Sequence, residues 1–114
     1  MNRVEQAIYI FENTPEPALY ELLAEEASEL AHAALKMARI LRDDVPTNIT
    51  QDEAYQNLRE EFTDVQNVAE VLGLTIDRDI SKEKMDRWIR RMTPQEMTLK
   101  KEISCDFTNT NLKL

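Results

Sequence analysis

Glu25-Glu26-Ala27-Ser28-Glu29 and Glu60-Glu61-Phe62-Thr63-Asp64 are two acidic words of the same design. Each is a Glu-Glu pair followed by an acid three residues after the second Glu. Residues three apart share a helix face, so Glu26 with Glu29, and Glu61 with Asp64, each form a two-carboxylate edge. Around the first word an apolar ladder runs Leu19, Leu23, Glu26, Leu30, Ala33, Met37, Ile40. Around the second it runs Ala54, Leu58, Glu61, Val65, Val68, Leu72. Steps alternating between four and three mark the core-facing stripe of a helix. Glu26 and Glu61 therefore stand on rungs that should be apolar. A bare carboxylate there costs several kcal/mol unless a cation or a hydrogen-bond donor compensates it. Two at matching rungs, each with an acid one turn on, predict carboxylates converging on a hard divalent cation. Oxygen donors without Cys or His favour Mg²⁺, Mn²⁺ or Ca²⁺ over zinc.

Working outward, one glycine and four prolines in 114 residues argue against a turn-rich β fold and for a few long helices. An all-α single domain over 1–102, followed by a tail over 103–114, is the expectation. Val4, Ile8 and Phe11 space a first short helix over Asn2–Glu12. Thr14-Pro15 reads as a cap with proline at the first helical position, opening a long helix from Pro15 to Arg42. Beyond its main ladder this helix carries Tyr20, Ala24, Ala27, Ala31, Ala34, Leu35 and Ala38. A helix so apolar packs on more than one side, which predicts a homodimer or homotetramer. Thr50-Gln51-Asp52-Glu53 is a capping-box pattern for the second acidic helix, and Gly73 is its expected left-handed stop. Ser81 is the expected cap of a helix over Lys82–Met92, with Met85, Trp88, Ile89 and Met92 on its apolar side and Lys84, Arg87 and Arg91 along one edge. Thr93-Pro94-Gln95-Glu96 predicts a further short helix.

A net charge of −8 disfavours a nucleic-acid partner, because phosphate backbones require basic surfaces. It leaves room for a small phosphorylated ligand held through a metal. The lone Cys105 forms no internal disulfide, no run is apolar enough to span a membrane, and no signal-peptide pattern opens the chain, so a cytoplasmic protein is expected.

The two words and their spacing resemble the all-α nucleoside triphosphate pyrophosphohydrolases of the MazG-like superfamily, which also includes dimeric dUTP-hydrolysing enzymes. The resemblance covers roughly Pro17 to Met92. The gap between the words is longer than in many members, and the Asp43–Gln51 connection can absorb the difference. The resemblance implies a MazG-like helical bundle completed by homo-oligomerisation. It implies that Glu26, Glu29, Glu61 and Asp64 ligate Mg²⁺, with Mn²⁺ as the alternative. It implies cleavage of a nucleoside triphosphate between its α- and β-phosphates, giving a monophosphate and pyrophosphate. Glu25 or Glu29 would orient the attacking water or accept its proton. Lys84, Arg87 and Arg91 have the charge to hold the departing pyrophosphate, and Asn67, one turn past Asp64, could hydrogen-bond base or sugar. A non-catalytic oligomer of the same scaffold, binding a nucleotide or a protein partner, is the alternative. The Glu29-x-x-His32 spacing is that of di-iron bundles, but His32 falls in the polar strip of its helix and the second helix has no His.

Overall fold

The computed structural model describes residues 1–43 and 46–92. It is all-α, with α1 over Arg3–Glu12, α2 over Glu16–Arg42, α3 over Gln51–Val71 and α4 over Arg78–Arg91. No strand occurs among the described residues, and no helix there is long and apolar enough to cross a membrane. The chain divides into two compact units, one over Met1–Thr75 and one from Ile76 on. The expected helix after Thr93 and the 103–114 tail with Cys105 lie outside the described residues.

Within the first unit α2 packs along α3, and α1 packs more lightly on α3. Every rung of both ladders is buried or half-buried, including Glu26 and Glu61. Helical periodicity is local, so the stripe read from sequence is the stripe the fold shields. Among the described residues the buried apolar side chains are Leu19 and Ala54, each 1% exposed, and Val68 at 8%. Apolar side chains off the stripe remain open, among them Val4, Ile8 and Phe11 of α1 and Tyr20 and Leu35 of α2.

The ends of the helices follow local chemistry. Asn2 and Glu5 form a reciprocal capping box on α1, Asn2 Oδ1 accepting from the Glu5 N–H at 2.9 Å and Glu5 Oε1 from the Asn2 N–H at 3.1 Å. The start of α2 differs from expectation. Pro15, with ψ 133°, is the cap, Thr14 does not cap, and Pro17 sits in the first turn. Both prolines are tolerated because the first N–H groups of a helix have no intrahelical partner. The helix ends on Asp43 in a left-handed conformation, its N–H bonded to the Arg39 and Ile40 carbonyls. Thr50 caps α3 as expected, Oγ1 accepting from the Glu53 N–H at 3.1 Å. The Glu53 carboxylate bonds the Thr50 hydroxyl, so only half of the box is made.

Gly73 (φ +73°) closes α3. Its N–H bonds Glu70 O and that of Leu74 bonds Ala69 O, the paired return bonds of a Schellman cap. A Cβ on Gly73 would meet nothing within 4 Å, so the cost of adding one is the left-handed backbone alone. Gly73→Ala is expected to cost about 1–2 kcal/mol, read from the urea midpoint, and Gly73→Asn distinctly less.

The second unit corrects the remaining boundary. Helix α4 begins at Arg78, one turn before the expected start, because Asp77 rather than Ser81 is its cap. Asp77 Oδ1 accepts from the Ile80 N–H at 3.0 Å, and a carboxylate there also opposes the helix dipole. Arg78, Asp79 and Ile80, outside the expected helix, belong to the first turn of α4. Trp88 on this helix is 64% exposed.

Candidate metal centre

Helices α2 and α3 run antiparallel. Glu26 meets Glu61, while Ala33 and Lys36, further along α2, share a hollow with Ala54 and Asn57, earlier on α3. The off-pattern rung of one ladder thus stands against that of the other, and the sequence alone does not set this register. One carboxylate oxygen each from Glu26, Glu29 and Glu61 lie within 4.8 Å of one another. Glu26 and Glu61 are half-buried, whereas Glu29 stands at the exposed rim.

Among the described residues no Lys or Arg pairs with the group. The ion pairs among the described residues are Arg3–Glu70, Lys82–Asp86 and Arg87–Glu83. None involves these acids. One oxygen of Glu26 and one of Glu61, both Oε2, are buried with no hydrogen-bond partner. Buried polar atoms are nearly always paired, so an orphaned oxygen on each of two clustered carboxylates leaves room for a positive partner. The donor set of three carboxylates fits a hard divalent cation.

The charges leave a clear mark. Burial away from water pushes the Glu26 carboxyl above its ordinary value, and the charges of Glu29, Asp64 and Glu25 push it further. Burial also raises Glu61, helped by a hydrogen bond with Glu29 and by the charges of Glu29, Asp64 and Glu26. Two carboxylates can share such a bond only when one is protonated. Between the ordinary value, 4.5, and the raised ones, the folded chain binds more protons than the unfolded chain. Stability therefore falls as pH rises through that window. The metal-free protein is expected to melt higher at about pH 5 than at about pH 7.5, with Mg²⁺ restoring much of the difference at the higher pH. A melting temperature that climbs over this interval without metal would show that the carboxylates carry no mutual strain.

The other residues singled out from sequence are distributed as follows. Asp64 is outside the closest set of carboxylates, although its charge acts on both Glu26 and Glu61. Glu25 is exposed beside Glu26, and Glu60 beside Glu61. Asn67 is engaged by α1. Its Oδ1 accepts from an Arg3 guanidinium N–H at 2.7 Å, and it lines a separate cavity of about 290 Å³ with Arg3, Gln6 and Glu70. Lys84, Arg87 and Arg91 do share one face of α4, where with Trp88 they line a cavity of about 380 Å³. Arg87 also reaches Glu83 at 3.8 Å.

Of the residues that line the acid site, Lys36 and Asn57 were not singled out from sequence, and His32 was set aside. His32, Lys36 and Asn57 border a cavity of about 280 Å³ together with Glu29, Ala33, Ala54 and Glu61. The signal was available for Lys36, which lies three residues after Ala33 and seven after Glu29 and so shares their face. His32 is exposed, as its polar strip required, yet that strip borders the cavity. No protein-family model matches the chain, and no curated protein or solved structure matches it.

Proposed function

We propose that this chain is a Mg²⁺-dependent nucleoside triphosphate pyrophosphohydrolase of MazG-like type, cytoplasmic and engaged in cleaning the nucleotide pool. The observation that carries the reading is the pair of buried, unpartnered oxygens on Glu26 and Glu61, with Glu29 in reach of both. Glu26, Glu29 and Glu61 would hold the ion, with Asp64 completing the set on the α3 edge. Mn²⁺ is the alternative occupant. Bound Mg²⁺ neutralises phosphate charge and acidifies water in such reactions.

The chain's own side chains supply the rest. Glu29, at the solvent edge of the group, is placed to orient a water or accept its proton, and Glu25 is the second candidate for that role. Water adds to phosphorus, the bridging bond between the α- and β-phosphates breaks, and the products are a nucleoside monophosphate and pyrophosphate. The half-buried placing of Glu26 and Glu61 keeps their charges poorly solvated, which strengthens their hold on a cation. Asn67, whose Oδ1 accepts from Arg3, is the candidate contact for the base or sugar.

A homodimer or homotetramer belongs to this proposal. So few side chains are fully buried, and so many of Val4, Ile8, Phe11, Tyr20, Leu35 and Phe62 are open to solvent, that a second copy would bury surface on the scale stable oligomers use.

The test is a panel of canonical and damaged nucleoside triphosphates incubated with the protein and Mg²⁺, with products resolved by ion-exchange chromatography. Pyrophosphate and a monophosphate in equal amounts are expected. Absence of turnover across the panel would overturn the enzymatic reading. A rise in melting temperature with Mg²⁺ in that case would favour the non-catalytic nucleotide-binding oligomer.

A further inference from the structure

The hollow between α2 and α3 has an acidic end and a basic end. Glu29 and Glu61 border the first, and Lys36 the second, with Ala33 and Ala54 on opposing helices between them. Alanine at both rungs leaves less side chain in the gap than a larger apolar residue would. Its volume is about 280 Å³. Lys36 is exposed, and it takes part in none of the ion pairs among the described residues. Among the described residues it is the one Lys or Arg bordering this hollow. Arg59 borders a different hollow made by α3 alone, with Asp64, Gln56, Glu60 and Thr63.

From this we infer that Lys36 contacts a phosphate of the bound nucleotide, supplying positive charge on the side away from the carboxylate group. The inference rests on the function proposed above and adds a substrate-contacting residue to it. A triphosphate carries more negative charge than one divalent cation cancels. A lysine on the same cavity is the compact point charge that phosphate recognition uses.

The probe that isolates phosphate from base is inorganic tripolyphosphate with Mg²⁺, titrated calorimetrically into the full chain. Lys36→Ala is expected to weaken its binding by about tenfold, the scale of one charge-assisted hydrogen bond. Lys36→Arg, which keeps the charge, is expected to stay within about threefold of the parent. Mn²⁺ titrated alone should bind all three proteins within about twofold, because the lysine is not a metal ligand. An unchanged tripolyphosphate affinity in Lys36→Ala overturns the inference while the metal reading stands. A loss confined to nucleotides and absent with tripolyphosphate also overturns it, assigning Lys36 to the base instead. Failure of the parent protein to bind Mn²⁺ overturns the metal reading itself.

Discussion

Glu61→Gln is expected to remove pyrophosphohydrolase activity by on the order of a hundredfold or more, the scale lost when one group stabilising transition-state charge is deleted. The same substitution should leave the metal-free protein as stable as the parent or more so. Glu61 is raised by burial and by its acidic neighbours, and a neutral amide of the same shape relieves both. Its NH₂ can also donate to the carboxylates of Glu26 and Glu29, which a carboxylate cannot. Opposite signs for activity and stability are the signature of a residue kept for a ligand rather than for the fold. Kinetic assay with Mg²⁺ and thermal melts without it would decide the matter. A variant that melts well below the parent yet turns over normally would make Glu61 a structural group. Glu26→Gln should behave alike, since its Oε2 is orphaned in the same way.

Leu19→Ala should have the largest effect on stability. Leu19 is the largest side chain that is fully buried, at 1% exposure, and it sits on the first rung of the α2 ladder. Truncating a buried leucine costs the transfer energy of the lost methyl groups plus the cavity left behind, about 3 kcal/mol. Domains of this size are stable by only about 5–15 kcal/mol. Among the described residues the only other buried apolar residues are Ala54 and Val68, so little else there can compensate. The expected result is a lower urea midpoint with an unchanged slope. A loss under about 1 kcal/mol would show that the site collapses easily, and hence that the stability of α2 comes mainly from contacts on its other faces.

Much of this was legible in the sequence, and the reason differs from element to element. The stop at Gly73 was readable because only glycine tolerates that backbone without cost, and the return bonds at Gly73 and Leu74 follow. The start of α3 was readable because Thr50 carries the cap in its own side chain, accepting from the Glu53 N–H. The start of α4 was misplaced because Asp77 and Ser81 are both good caps one turn apart, and sequence does not rank them. Asn67 is taken by Arg3, 64 residues away, a pairing that no local pattern encodes. Lys36 was overlooked because a lone lysine on a helix reads as a solvated charge until a facing alanine opens space beside it.

Each helix's sequence determined its own azimuth. Leu19 through Ile40 and Ala54 through Leu72 define faces, and the carboxylates of Glu26 and Glu61 belong to those faces whatever the partner. Only the tertiary structure decided which turn of α2 meets which turn of α3. That register brings Glu26 and Glu29 to Glu61, leaves Asp64 at the edge, and sets Ala33 near Ala54 so that a hollow remains. The physical reason is that periodicity fixes rotation about a helix axis but says nothing about translation along its neighbour. Sliding one helix against the other by a turn would preserve every apolar stripe and separate the acids.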